Sequence, residues 1–206
     1  MFLTVNLDAV RGNSRIDPSF LPGPFGIVGS DGRFSIPGVM PGTYIFTVSG
    51  ADAQGWVLDA ATIPAAPGAA LDARDVLNLP FTIPEEIDIL GATFSMTRAA
   101  STLQVMLRDR DDRPVPNMDV VLFAADPKYW YPSSRRLLRQ RASTTGTVTF
   151  DHLPQGDYIA AAAGSLPSDW HTAPRLEALA PTGTRVRLDK SDTRAIAIRV
   201  DPGIVK

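Results

Sequence analysis

Short bursts of period-two alternation mark this chain, and almost none of it carries the 3.6-residue period of an amphipathic helix. Leu103, Val105 and Leu107 alternate with Gln104, Met106 and Arg108, which predicts a strand with one buried face. Asp119–Ala124 (DVVLFA) predicts the next strand, after a polar turn rich in Asp and Pro at Asp109–Pro116. Further strands are expected at Thr147–Phe150, Tyr158–Ala162, Arg185–Leu188 and Ala195–Val200. Asp126–Arg141 reads as a long irregular connection, and Pro174–Leu179 as a helical turn. Some seven short strands in about 100 residues is the rhythm of a β-sandwich.

The first half has the same grammar. Phe34 and Ile36 alternate with Arg33 and Ser35, Pro41–Gly42 forms a turn, and Tyr44–Val48 is a strand. This likeness is an internal repeat. Asp31–Gly50 lies over Thr145–Gly164 at a constant offset of 114. The offset pairs Gly32 with Gly146, Ile36 with Phe150, Gly42 with Gly156, Tyr44 with Tyr158 and, without a gap, Trp56 with Trp170. Gly, Tyr and Trp rarely match in register by chance, so the chain reads as two copies of one domain, 1–98 and 101–206, joined by Thr97–Ser101. The first copy has no counterpart of the Thr102–Asp109 strand, and Leu3–Leu7 takes the place of DVVLF with a small slip. The expectation is an N-terminally incomplete sandwich, completed by another segment or by an earlier part of a longer array.

Composition narrows the chemistry. The 206 residues include no Cys and two His, which excludes disulfides, thiol nucleophiles and Cys-ligated zinc and leaves little for a His-rich metal site. Gly and Pro make up about 17% of the chain against a usual total of about 12%, and their even spread fits many turns. No apolar run reaches the roughly 18–20 residues of a membrane span. The opening MFLTVNLDAV has no signal-peptide pattern. Net charge is −2 overall, distributed as −5 over residues 1–100 and +3 over 101–206.

The pattern D-G-x-F-x-I-x-G-V-x-P-G-x-Y at Asp31–Tyr44 resembles the carboxypeptidase regulatory-like and Cna B-type domains. So do Leu103–Asp109, Arg113-Pro-Val-Pro and Val120-Val-Leu-Phe in the second copy. The resemblance implies an all-β chain of two tandem transthyretin-like (prealbumin-like) antiparallel β-sandwiches, the first lacking its N-terminal strand. It also implies a non-enzymatic spacer or protein-binding module of a bacterial secreted or cell-surface protein. The implied partners are other domains of the same or a longer polypeptide, or copies of itself. Asp112 stands where the family usually has Gly.

Several chemistries of related folds fail on residue counts. A Lys–Asn or Lys–Asp isopeptide cross-link needs a Lys on an early strand, but Leu3–Leu7 and Leu103–Arg108 have none. The hydroxyisourate hydrolases' C-terminal Tyr-Arg-Gly-Ser is absent. His152, His171, Tyr129, Tyr131 and Tyr158 supply the residue types of an intradiol dioxygenase iron site, but Tyr158 is a repeat position whose first-copy partner has no His. Asp109, Asp111 and Asp112 could offer oxygen to calcium, yet Arg108, Arg110 and Arg113 interleave and the loop spacing is wrong. No catalytic residue, cofactor or metal is expected.

The stretch Lys128–Arg141 stands out. Tyr129, Trp130 and Tyr131 are consecutive aromatics, followed by Arg135, Arg136, Arg139 and Arg141. Aromatic faces stack on sugars and Arg forks grip carboxylates or phosphates, so Tyr129, Trp130, Tyr131, Arg135 and Arg136 are the candidate ligand or partner site, with a glycan as the alternative to a protein. The structural alternative is that the rings cap the sandwich and the Arg stems cover them. Trp56 and Trp170 recur in both copies and read as packing residues. The negative net charge and the lack of a recognisable module argue against nucleic acid.

Overall fold

The computed structural model describes residues 3–10, 23–50, 55–63, 76–85, 88–131 and 134–200. The chain divides into two compact units, Met1–Arg98 and Ala99–Lys206. Strands dominate both. The first unit carries β1 (Thr4–Ala9), β2 (Phe25–Ile27), β3 (Gly42–Ser49), β4 (Val57–Thr62), β5 (Phe81–Ile83) and β6 (Thr93–Thr97). The second carries β7 (Ser101–Arg108), β8 (Asp119–Ala124), β9 (Leu137–Arg141), β10 (Thr147–Leu153), β11 (Gly156–Ala163), helix α1 (Ala173–Leu179), β12 (Thr184–Leu188) and β13 (Thr193–Arg199).

In the second unit a four-stranded sheet, β12-β11-β8-β9, faces a three-stranded one, β10-β7-β13. Leu103, Val105 and Leu107 meet Val120, Leu122, Phe150, Tyr158, Ala160 and Leu188 between them. Full burial of such a side chain contributes about 1.5–3 kcal/mol, and Leu103, Val105, Leu107, Val120 and Leu122 are each wholly inaccessible. A second apolar layer lies on the outer face of the four-stranded sheet. There Val121, Phe123, Ile159 and Ala161 pack against Leu176 of α1, with Trp130 and Trp170 at the margin. Every residue of β8 is buried, as expected of a strand covered on both faces.

The first unit repeats the main sheet in the same order, β2-β1-β3-β5. Strand β3 and strand β11 have matching ends at the offset of 114. Thr4 pairs with Ser49 as Asp119 pairs with Ala163, so β1 begins at Thr4 rather than at Leu3 and runs to Ala9. Two local devices also recur. Gly29 N donates to Arg33 O at 2.8 Å and Gly32 N to Gly29 O at 3.0 Å; Ser143 N donates to Thr147 O at 3.0 Å and Gly146 N to Ser143 O at 2.9 Å. Gly32 and Gly146 both take positive φ, 77° and 70°. Tyr44 Oη donates to Met40 O at 2.9 Å, and Tyr158 Oη to Pro154 O at 2.7 Å. In each case a buried phenol ties the strand to the loop four residues earlier.

Two expectations are corrected. Arg33–Ile36 is not a strand, although Phe34 and Ile36 do pack on the first core. Its counterpart β10 is held in a ladder by β7, and no described strand of the first unit takes the place of β7, so the segment has no ladder to join. The supposed irregular connection ends in a strand, β9, which pairs with β8 from Asp119↔Arg141 to Phe123↔Leu137. At Asp112 the residue adopts φ 63°, the left-handed conformation that favours Gly. Asp109 makes the turn workable, since its Oδ1 accepts from Asp111 N and Arg113 N at 2.9 and 2.8 Å.

The Tyr158 corner gives a direct test. Tyr158→Phe removes the bond to Pro154 O and a second from Arg136 Nη1 at 3.2 Å, with an expected loss of about 1–2 kcal/mol in urea unfolding. Tyr44→Phe breaks the bond to Met40 O and is expected to cost about 1 kcal/mol. Burial raises the Tyr158 pKa above 10.0, with Arg136 opposing. The phenol's contribution is therefore complete below pH about 10 and is lost as pH climbs through the higher folded pKa. Tyr158→Phe should accordingly blunt the alkaline loss of stability.

Candidate functional site

The loop between β8 and β9 turns at once after Ala124. Asp126 caps a single 3-10 turn, Pro127–Tyr129, by accepting from Lys128 N at 3.1 Å. That hydrogen bond from the backbone N–H, with the Lys128 ammonium 3.3 Å away, holds the Asp126 carboxyl below the usual carboxylate range. The turn then separates the consecutive aromatics. Trp130 turns toward the outer apolar layer, edge-on to Phe123 with centroids 5.6 Å apart, and its Nε1 donates to Ala124 O at 2.7 Å. Burial raises the Tyr131 pKa, with Ser134, Arg135 and Arg136 opposing. Tyr129 alone of the three rings lines the neighbouring cleft.

That cleft has a volume of about 640 Å³ and is walled by Ala125, Asp126, Tyr129 and Arg136 from the loop, Gln155–Tyr158 from the start of β11, and Arg185–Arg187 from β12. Sheet order assembles it, since β12 and β8 flank β11 on opposite sides. Register sets Arg187 opposite Asp157 and Arg185 opposite Ile159. Spacing of two puts both guanidinium stems on one face of β12.

Arg136 is the fixed member. Its guanidinium lies 5.0 Å from the centre of the Tyr129 ring and 5.7 Å from that of Tyr158, and Nη1 donates to Tyr158 Oη. It also rests on Gly156, where an added Cβ would come within 2.6 Å of Nη1. Gly156 has φ 148°, and the missing side chain is what admits the guanidinium. Arg187 pairs with Asp189 at 3.5 Å, both largely exposed, which is a weak contact. Arg185 has no ion pair among the described residues.

Of the five residues singled out in sequence, Tyr129 and Arg136 reach the cleft; Trp130, Tyr131 and Arg135 do not line it. Gln155, Asp157, Arg185 and Arg187 were missed. The signal for the last two was the pair of arginines spaced by two on one strand, which alone looks like any exposed strand face. His152 and His171 lie outside the cleft, His171 edge-on to Trp170 at 5.8 Å. Among the described residues no group of three or more acidic or His side chains is placed to hold a metal, and no helix is long and apolar enough to cross a membrane.

Among the described residues, two positions of that lining differ in the first unit. Thr43 and Thr82 stand where the second unit has Asp157 and Arg187, and their hydroxyls are 3.4 Å apart. Trp56 is covered by the Arg98 guanidinium, 4.6 Å from the ring centre.

No family model matches the chain, and no curated protein matches it in sequence. Solved structures do show likeness. A minor pilin of Streptococcus agalactiae is 13% identical, covering 97% of this chain and 82% of its own, with a TM-score of 0.35. A streptococcal ancillary pilin is 12% identical, covering 98% of this chain and 62% of its own, TM-score 0.37. A putative carbohydrate binding protein from Pseudomonas aeruginosa is 14% identical over 50% of this chain and 89% of its own, TM-score 0.33. With TM-scores of that size, the architecture stands on this chain's own strand pairing.

Proposed function

We propose that the chain is a non-enzymatic spacer module, two tandem transthyretin-like sandwiches in a longer bacterial secreted or cell-surface polypeptide. The observation that carries this reading is the pairing of the second unit's first and last strands. β7 and β13 run parallel in unbroken register from Thr102↔Thr193 to Arg108↔Arg199. Thr102 N to Asp192 O and Val200 N to Arg108 O, each 2.8 Å, extend the ladder at both ends.

Parallel terminal strands have a mechanical consequence. Tension enters at the start of β7 and leaves at the end of β13, so it slides the two strands past each other along their axes. All the ladder bonds are then strained together, and the slanted, evenly spaced bonds of a parallel pair share the load. An antiparallel terminal pair would peel one bond at a time. The sequence motif at Asp31–Tyr44 and the repeated turn and tyrosine corner support the tandem reading. The repeated turn and tyrosine residues shape turns and cores.

The test is to stretch the full chain between its ends in a single-molecule trap. Two unfolding steps are expected, each releasing about 30–40 nm at the reach of about 3.3–3.6 Å per residue. The unit containing β7 and β13 should unfold abruptly at the higher force. Gradual extension without a high-force step would overturn the reading.

A further inference from the structure

We infer that the cleft of the second unit binds an acidic sugar, a hexuronate unit of an acidic polysaccharide, through its carboxylate. This inference stands apart from the spacer reading, and neither needs the other. The cleft's volume of about 640 Å³ lies within the roughly 300–1,000 Å³ of ordinary ligand sites. Its lining is polar and mixed in a particular way. Three guanidiniums, Arg136, Arg185 and Arg187, line it with two carboxylates, Asp126 and Asp157; Lys128 sits on Asp126 and Asp189 on Arg187 at its edge, and the cleft is positive in balance.

That balance selects the ligand. A planar carboxylate matches the guanidinium fork and takes two parallel hydrogen bonds from it. A carboxylate brings one negative charge to the cleft, where a phosphate dianion would set two beside Asp126 and Asp157. The remaining groups suit hydroxyls. Asp157 accepts, and the Gln155 amide both donates and accepts. A wholly neutral sugar would leave the arginines of β12 without a partner in the cleft.

Preorganisation supports the same reading. Arg136 is held by Tyr158 Oη, the Tyr129 ring and the bare backbone of Gly156, so little side-chain freedom remains to be lost on binding. Arg185 and Arg187 are exposed and spaced for one face of the strand. Among the described residues, the first unit has Thr43 and Thr82 where the second has Asp157 and Arg187.

The experiment is calorimetric titration of the full chain with tri-galacturonate, beside the galactose trimer that lacks the carboxylates, inorganic phosphate, and a short peptide with a free C-terminus. Binding of tri-galacturonate is expected, weakening as salt rises, with much weaker binding of the other three. Arg185→Gln combined with Arg187→Gln should weaken it by about tenfold or more with an unchanged thermal midpoint, since both side chains are exposed. Several results would overturn the inference: no binding of tri-galacturonate, equal binding of the neutral trimer, tighter binding of phosphate or peptide, or an undiminished affinity in the double variant.

Discussion

Trp130→Ala is expected to lower the stability of the second unit by about 3 kcal/mol. Truncating a buried Trp typically costs about 3–5 kcal/mol, and partial exposure of this ring reduces that. The indole's edge-on contact with Phe123 disappears, and Ala124 O loses the donor that meets it at 2.7 Å. An acceptor left without its partner under packed side chains adds roughly 1 kcal/mol. Urea unfolding should show the transition of the second unit shifted and that of the first unit in place. The same variant should still bind whatever the cleft binds, because Trp130 does not line it. An unshifted transition with abolished binding would instead mark Trp130 as a ligand contact.

Gly146→Ala is expected to cost about 3 kcal/mol, and Gly32→Ala only about 1 kcal/mol. Both glycines close the same turn with nearly the same positive φ, so both substitutions carry the left-handed penalty of about 1–2 kcal/mol. Their surroundings differ. A Cβ on Gly146 would lie 2.9 Å from both Leu107 O and Val115 N, backbone atoms that cannot swing away. A Cβ on Gly32 would meet nothing within 4 Å. Overpacking of that kind adds about 1–3 kcal/mol. Equal shifts in the two unfolding transitions would show that the close approach of Leu107 and Val115 is relieved at no cost.

The reason for the difference lies in β7. Leu107 O accepts from Val115 N, and Leu107 N donates to Gly146 O at 2.8 Å, so the turn of the second unit is buttressed by a strand with no described counterpart in the first. The repeat made the turn visible in sequence, because turn chemistry is local and Gly supplies it wherever it stands. Its neighbours, Leu107 and Val115, were not visible, because they stand 39 and 31 residues away in the chain.

The same distinction separates what could be read elsewhere. Strands β7, β8, β11 and β13 were legible from alternation or apolar runs, since each presents at least one face to a core. β9 was not. Its sequence Leu-Leu-Arg-Gln-Arg has no period-two signal, and its last three residues are exposed; ladder pairing with β8 creates the strand. The repeated Trp56 and Trp170 precede different elements, β4 and α1. The outer face explains this. In the second unit Val121, Phe123 and Ala161 make it apolar, and α1 covers it. The first unit has Asn6, Asp8, Thr47 and Ser49 there, which satisfy one another at 2.9–3.0 Å.

The candidate site was half legible. Tyr129 and Arg136 stood out by composition, but a loop's direction is fixed by what it packs on, and Phe123 draws Trp130 to the sheet. Gln155, Asp157, Arg185 and Arg187 come together only through the order β12-β11-β8. No local pattern encodes that order.

The parallel clamp of β7 and β13 is tested most directly by pulling the same unit in two directions. The chain has no Cys, so introduced cysteines give unique handles. One pair at the ends of the unit loads the ladder in shear. A second pair, Arg108→Cys with Arg199→Cys, sits on opposing residues at one end of the ladder and peels it open. A clearly higher rupture force is expected in the first geometry than in the second. Equal forces in the two geometries would contradict it.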